Sequence, residues 1–536
     1  MAEIDAKSGY CSRTKTFRSL RKSLHLPPKD LPLSVSSYAL SLQPDNPIAN
    51  PTAMIDCATG RRISYENFFR QVDTLSFHLQ SVVGVRKDDV AFLLCSNSVK
   101  VPIIYFSLLS LGAILSPANP LSTEAEISRL IELCKPAVAF SASSTSAKLP
   151  KLRLGTIVFD SPEFDSAVAS ESSEIDRVEV SQSDLAAIMY SSGTTGRVKG
   201  VMVTHRNMIA NTASFKQHRS SRRSTAPAVT LTMVPYFHIF GFFAMLRAVA
   251  LRDCVVVMER FDLTKMMRAV DEFRVTYLMV VPPVVVAMVK GDAAAGCDLT
   301  SLEFLGVGAA PLGKGVVGAF KTKFPHVVLE QGYGLTESTD PSQGQSEGLR
   351  WGSAGKLIGS CEVQIVDTES GVALGPNQRG ELWIKGPIVM KGYLGDAEAT
   401  GATLTPDGWL KTGDVCYVDE EGYFYVVDRL KELIKYKGYQ VAPAELEQLL
   451  QSHPEINDAA VIPYPDEVAG EIPMAFIVRQ PHGSIDEAQV VDFVAAQVAP
   501  YKKIRKVAFV NSIPKTPAGK ILRKTLREAI AVHSKL

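Results

Sequence analysis

The chain has little of what marks a disulfide scaffold, a membrane protein or a nucleic-acid binder. Its eight cysteines, Cys11, Cys57, Cys95, Cys134, Cys254, Cys297, Cys361 and Cys416, include no C-x-x-C pair. That argues against a disulfide framework and a structural zinc site, and leaves reduced, mostly buried thiols. Neither sign of charge dominates: 57 Lys and Arg against 56 Asp and Glu give a net +1. Global charge therefore gives no reason to expect nucleic acid or an anionic membrane as partner. Long hydrophobic runs are missing. The most apolar stretch, Tyr277 to Val289, is broken by Pro282-Pro283; it is too short to span a bilayer and reads as a buried strand entering a loop. Met1 to Leu26 is polar, basic and interrupted, without the apolar core of a secretory signal, so a soluble protein is expected. No internal repeat is visible, which argues against a solenoid or propeller.

What is present is length and alternation. The 536 residues, 46% hydrophobic and 21% charged, can bury a large core and exceed the usual size of one domain. Short apolar runs alternate with helix-like segments: Val90–Leu94 then Val101–Leu109, and Val255–Met258 then Asp262–Phe273 and Tyr277–Val281. This pattern predicts an α/β protein with parallel sheets covered by helices. Around Val363–Val366 and Gly380–Ile384 the pattern shifts to short strands and turns, as in a small β-rich module. From about Lys431 it reads as compact α+β. Helices are expected at Ala442–Gln451, opened by Pro443, and at Asp486–Val498, with strands at Ala459–Pro463 and Met474–Val478. The Ser-rich segment between Ser141 and Ser183 reads mostly as connection.

The sharpest local signal is Tyr190-Ser-Ser-Gly-Thr-Thr-Gly-Arg-Val-Lys-Gly200, which follows the strand-like Leu185–Met189. Gly193, Gly196 and Gly200 permit backbone geometries closed to other residues. Exposed amides, the hydroxyls of Ser191, Ser192, Thr194 and Thr195, and the mobile charge of Lys199 suit a polyphosphate. The alternative is a flexible Ser/Thr/Gly surface loop. A Walker A motif does not fit, because Lys199 precedes Gly200 and no Ser or Thr follows at the required place.

Ser191–Lys199 resembles the phosphate loop of the adenylate-forming superfamily of acyl-CoA synthetases, peptide-synthetase adenylation domains and luciferases. The resemblance continues in order through Gln331-Gly-Tyr-Gly-Leu-Thr-Glu337, Gly380-Glu-Leu-Trp-Ile-Lys-Gly386 and Trp409-Leu-Lys-Thr-Gly-Asp414. Asp428 to Gly438, leading into Gln440–Glu445, and Pro514-Lys-Thr-Pro-Ala-Gly-Lys520 complete it. Within the group the chain most resembles plant 4-coumarate–CoA ligase-like enzymes. The resemblance implies a large N-terminal domain, residues 1–430, of doubly wound sheets plus a small β-barrel-like module. A small mobile α+β domain, residues 431–536, follows it.

The implied activity is ATP-dependent ligation of a carboxylic acid to coenzyme A through an acyl-adenylate. Both reacting groups are anionic, so such a site must supply positive charge and orientation. Motif by motif, the resemblance implies that Glu337 holds Mg²⁺ and Thr336 contacts the α-phosphate. It places Asp414 on the ribose hydroxyls with Arg429 assisting, and Lys520 between carboxylate and phosphate. Gln331, Gly332, Tyr333, Lys435 and Gln440 are further adenylate contacts. Lys437 and Gly438 match the CoA site, Arg260 a basic position at the CoA phosphate, and Lys431 the hinge between two poses. His238, in Pro235–Gly241, is either a satisfied core histidine or the gate of the acyl site in contact with the carboxylate.

The acyl pocket implied by resemblance comprises His238, Phe240, Ala244, Gly308, Ala309, Gly332 and Gly334. The chain departs from 4-coumarate ligases at Gly380–Gly386, where they carry GEICIRG. It departs again at Ser338–Ser346, a polar stretch where they are mainly apolar, and this segment is expected to form part of the pocket wall. Cinnamate-type, benzoate-like, oxylipin and medium-chain fatty acids all remain candidates. The final Ser534-Lys535-Leu536 reads as a peroxisomal address and hence a contact for the import receptor, or as a frayed tail. Two other readings share these motifs: a luciferase-like monooxygenase and a catalytically silent nucleotide-binding protein.

Overall fold

The computed structural model describes residues 4–42, 51–170, 176, 178–191, 198–220, 228–291, 296–310, 312–343, 350, 352–437, 439–516 and 519–533. Two seven-stranded sheets dominate. In one, Val328–Gln331, Phe304–Val307, Tyr277–Val280, Val229–Thr232, Cys254–Val257 and Thr52–Asp56 run parallel in that order, with Arg62–Ser64 antiparallel at the edge. In the other, Leu185–Ser191, Ile114–Pro117, Val90–Leu94, Val138–Ser141 and Thr156–Val158 are parallel. At its edge Lys199–Thr204 pairs antiparallel with Leu185–Ser191, and Gly392–Tyr393 pairs antiparallel with Lys199–Thr204.

Central strands such as Cys254–Val257 and Val138–Ser141 are buried at every position, which parallel strands covered on both faces require. One apolar cluster joins the two sheets. Met54 and Val255 come from the first, Leu93 and Met189 from the second, and Phe68, Ile104 and Phe242 from helices between them. Separate clusters cover the outer faces, through Glu124–Cys134 on one side and Leu263–Glu272, Pro282–Lys290 and Lys314–Lys323 on the other. Each sheet therefore carries helices on both faces.

A six-stranded antiparallel sheet stands where the β-rich module was expected. Its order is Tyr10–Cys11, Thr16–Arg18, Glu362–Val366, Gly380–Lys385, Leu410–Val418, Phe424–Arg429. Beyond it, a five-stranded sheet built on the long hairpin Ile456–Asp466 and Gly470–Arg479 packs on Pro443–Gln451 and Glu487–Ala495. Its apolar clusters draw only on residues from Ile434 onward. Among the described residues no helix is long and apolar enough to cross a membrane.

Two expectations are corrected. Tyr277–Val280 is a buried strand, but it leads into the helix Pro282–Lys290 rather than a loop. The proline pair opens that helix, where a missing N–H costs nothing. The Ser-rich connection also holds structure: a strand at Thr156–Val158, and a helix at Pro162–Ala169 capped by Ser161 accepting from the Phe164 amide.

Candidate active site

The strand Val328–Gln331 ends at the C-terminal edge of its parallel sheet, where ligand crevices form in α/β folds. Gln331, Gly332, Tyr333, Gly334 and Leu335 leave that edge along the wall of a cavity. The far wall carries Asp414 and Arg429, which face each other across the antiparallel pair Leu410–Val418 and Phe424–Arg429. Arg429 Nε lies 3.2 Å from Asp414 Oδ1, and Tyr333 Oη donates to Asp414 Oδ2 at 2.6 Å. Burial raises the Asp414 carboxyl above its ordinary value, with Arg429 and the Tyr333 hydroxyl pulling the other way.

Lys520 reaches this cavity from the C-terminal segment. A small loop presents it: Thr516 N–H donates to the Lys520 carbonyl at 2.8 Å, and Gly519 adopts φ +78°. A Cβ on Gly519 would stand 3.4 Å from Val281 Cγ2, so the loop rests on the start of the helix Pro282–Lys290. Burial, then the charge of Arg429, lowers the Lys520 ammonium below its usual range.

Glu337 stands beside a residue that motif reading missed. Tyr393 Oη donates to Glu337 Oε1 at 3.0 Å, and Lys199 Nζ sits 4.4 Å from the centre of the Tyr393 ring. Lys199 comes from the hairpin in which Lys199 pairs with Ser191 and Gly200 with Tyr190. Gly200 is close-packed, since a Cβ there would meet Ile188 Cγ2 at 3.0 Å. Thr336 lies half-buried in the turn before Glu337. A single carboxylate fits Mg²⁺, which takes one or two carboxylates together with substrate phosphates.

A second cavity adjoins the first. Ala309, Gln331, Gly332 and Gly334 line both, so the two chambers meet at the strand ends. His238, Phe240 and Gly308 line the second. His238 caps the helix Ile239–Ala250, its Nδ1 accepting from the Phe240 amide at 3.3 Å. Burial, then the Lys520 charge, holds its imidazole down to about 4, which keeps it neutral. A Cβ on Gly308 would lie 3.1 Å from the Phe240 ring, so glycine lets that ring lie along the strand. Gly334 is bare for a stricter reason: a Cβ there would come within 1.9 Å of the Thr339 carbonyl. Thr339 and Asp340, from the polar stretch expected in the wall, do line the cavity.

Other residues lie elsewhere. Ala244 does not line the cavity; it packs behind the wall with Phe215, Tyr277 and Met279, which do. Lys435, Lys437 and Gln440 are exposed on the hairpin Ile434–Tyr436 and Tyr439–Val441, away from both cavities. Arg260 and Lys431 are also exposed. Ser192, Gly193, Thr194, Thr195, Gly196, Gly438 and Ser534 to Leu536 lie outside the described residues. Phe215, Phe243, Tyr277, Met279, Arg247 and Asn211 line the second cavity without any motif announcing them.

Comparison with known proteins identifies the family. Residues 44–394 match the AMP-binding enzyme family and residues 445–520 the AMP-binding enzyme C-terminal domain, so the chain belongs to the AMP-binding enzymes. The chain is 48% identical to the 4-coumarate–CoA ligase-like 9 protein of Arabidopsis thaliana, over 98% of this chain and 96% of that one. It is 44% identical to the Arabidopsis thaliana peroxisomal OPC-8:0-CoA ligase 1 over 100% of both chains. The solved structure of ATP-bound MatB from Rhodopseudomonas palustris superposes with a TM-score of 0.84 at 27% identity, covering 93% of this chain and 99% of that one. The o-succinylbenzoate CoA synthetase of Bacillus subtilis, with its acyl-adenylate, gives 0.78 at 26% identity over 93% and 98%. The chain is an AMP-forming acid–thiol ligase that works through an acyl-adenylate, with ATP and coenzyme A as substrates.

Proposed function

We propose that this ligase activates a phenylpropanoid-type acid, or an oxylipin or medium-chain fatty acid, in peroxisomes. The observation that carries the reading of the site is the pair of adjoining chambers. One holds Asp414, Arg429 and Lys520, the other is largely apolar, and they meet at Ala309, Gln331, Gly332 and Gly334. ATP fills the first, with ribose on Asp414 and Arg429, phosphates along Ser191–Lys199 and the α-phosphate near Thr336. Glu337 would hold Mg²⁺ together with the phosphates, and the bound ion would supply positive charge beside the pyrophosphate oxygens. The acid lies in the second chamber with its carboxylate at the His238 end. Lys520 then neutralises carboxylate and phosphate oxygens as they approach, a task in which electrostatic positioning dominates.

Residues 431–536 form a mobile domain that turns about Lys431 once the adenylate exists. The turn withdraws Lys520 and brings the exposed Lys437 face, with Lys435, Gln440 and Gly438, to the site. Coenzyme A enters there, its phosphate near Arg260. A hinge residue taking up a large φ/ψ change is ordinary for such a closure. The name of one full-length relative and the terminal Ser534-Lys535-Leu536 support the peroxisomal assignment.

The test is pyrophosphate and AMP release with ATP, Mg²⁺ and coenzyme A across cinnamate, 4-coumarate, benzoate, medium-chain fatty acids and a cyclopentanone oxylipin. Mass detection identifies the thioester. A thioester from benzoate alone overturns the substrate assignment. Deleting Ser534–Leu536 from a tagged enzyme should leave activity intact and move it to the cytosol. Lys437→Ala should spare adenylation and slow thioester formation.

A further inference from the structure

The floor of the second chamber is polar in a way that activation of a carboxylate does not use. Arg247 and Asn211 line it, and they are only 2% and 1% exposed. Arg247 Nη1 pairs with Asp340 Oδ2 at 3.1 Å, and its guanidinium lies 4.3 Å from the centre of the Phe215 ring. Its Nε has no hydrogen-bond partner among the described residues, and neither does Asn211 Oδ1. Asn211 Nδ2 makes only a long contact, 3.5 Å, to Thr339 Oγ1. Beside them His218 Nε2 and Glu330 Oε2 pair at 2.9 Å within the same wall. Buried polar atoms are normally satisfied, and two that are not, on one cavity floor, call for a partner.

The floor is also remote from the reacting end. Arg247 follows His238 by nine positions on one helix, so its Cα lies about 14 Å further along the helix axis. The charges nearby decide what kind of group fits. Asp340 already offsets Arg247, and Glu330 adds a second carboxylate, so an anion would meet repulsion here. An uncharged oxygen would not, and it can accept from the guanidinium.

We propose that this chamber selects acids bearing an uncharged oxygen, a ketone or hydroxyl, at the end remote from the carboxylate, with Arg247 Nε donating to either kind of oxygen and Asn211 Oδ1 accepting from a hydroxyl. This rests on the reading of the second cavity as the acyl site. Small sets of placed polar groups in an otherwise apolar pocket are how such sites fix orientation and choice. A site built to hydrogen-bond a substrate oxygen also rejects the analogue lacking it far more strongly than an apolar pocket rejects a size change.

The test compares kcat/KM for matched acids by pyrophosphate release: straight-chain acids of eight, ten and twelve carbons, their ω−1 oxo acids and the corresponding dicarboxylic acids, with cinnamate against 4-hydroxycinnamate. The oxygenated neutral acid should exceed its plain partner at least tenfold, and the dicarboxylate should be poorest. Arg247→Met should lower kcat/KM for the oxo acid and for 4-hydroxycinnamate at least tenfold, and Asn211→Leu should do so for 4-hydroxycinnamate, while each leaves the plain acid within about threefold. Arg247→Lys, which keeps the charge but lacks Nε, should also lose the preference. Plain and oxygenated acids turned over equally, a preferred dicarboxylate, no turnover of any acid in the series, or variants that lower both acids alike would each overturn the proposal. Gly308→Leu separates the acyl-site reading from the preference for an oxygenated acid. It fills the cavity and should block every acid; if it does not, the cavity is not the acyl site and both readings fall.

Discussion

Tyr333 and Asp414 are joined by a 2.6 Å hydrogen bond between a loop leaving a parallel sheet and a strand of the antiparallel module. The bond orients a buried carboxylate whose other oxygen is held by Arg429. A carboxylate set in this way is ready to accept two hydroxyl protons without reorganising. Tyr333→Phe should therefore raise KM for ATP about tenfold, the loss of one charge-assisted hydrogen bond being worth roughly 1.5–3 kcal/mol at most. Initial-rate kinetics at saturating acid would show it; an unchanged KM would mean that Asp414 needs no such support.

On the proposed reading Lys520, which lines the first cavity, acts in adenylation and not in thiolysis. Lys520→Met should lower pyrophosphate release roughly 10²–10³-fold, the usual cost of removing a preorganised charge donor. Conversion of preformed acyl-AMP and coenzyme A to thioester should stay near normal. Equal damage to both half-reactions would remove Lys520 from this role.

Tyr393 couples Glu337 to Lys199. In Tyr393→Phe the carboxylate loses its fixed orientation but keeps its charge. The expected result is a threefold to tenfold higher Mg²⁺ requirement, about 0.7–1.4 kcal/mol for one lost hydrogen bond, with the maximal rate largely recovered at high Mg²⁺. A Mg²⁺ titration of adenylation checks this, and failure of high Mg²⁺ to restore the rate would count against it.

His238 should stay neutral through the working range of the enzyme. Burial, reinforced by the Lys520 charge, holds its imidazole down to about 4, against an ordinary value of about 6.5. Between these values the unfolded chain binds a proton that the folded chain does not. The stability contributed by this group is thus complete above about pH 6.5 and is lost as pH falls towards 4. Lys520→Met should raise the His238 value without bringing it to 6.5, because burial remains. Ring-carbon NMR of labelled histidines, with His238→Asn identifying the signal among nine, would read it. A value near 6.5 in the wild type would show the ring to be solvated.

Gly334 tolerates no side chain, because a Cβ there would lie 1.9 Å from the Thr339 carbonyl. Gly334→Ala should displace the 334–340 loop, cost about 1–3 kcal/mol of stability as overpacking does, and lower turnover of every acid together. Thermal melts beside kinetics decide it. An alanine variant of wild-type stability would mean the loop yields freely.

Motif residues and tertiary residues divide sharply in this protein. Strands at Val90–Leu94 and Tyr277–Val280 could be read from apolar runs, because a strand buried on both faces must be apolar throughout. Pro282-Pro283 misled, since a proline pair that ends a strand also opens a helix, and only the packing of Val284, Val285 and Met288 chose between them. Asp414, Glu337 and Lys520 stand in short motifs that resemble those of the adenylate-forming superfamily, so the resemblance could name them one by one. Tyr393 and Arg247 stand in none: an isolated tyrosine or arginine has no local signature.

From its order of residues alone, this chain determined its α/β character, its family and the polar groups Asp414, Arg429 and Lys520 of its first chamber, since short motifs and apolar periodicity are local properties. Only the tertiary structure decided the second chamber. Its wall gathers Asn211, Arg247, Met279, Glu330 and Asp340 from five separate segments, and it moves Ala244 behind that wall. The physical reason is that a cavity is what packing leaves open. Its lining is set by which faces of distant helices and strands meet, and no single segment of sequence carries that information.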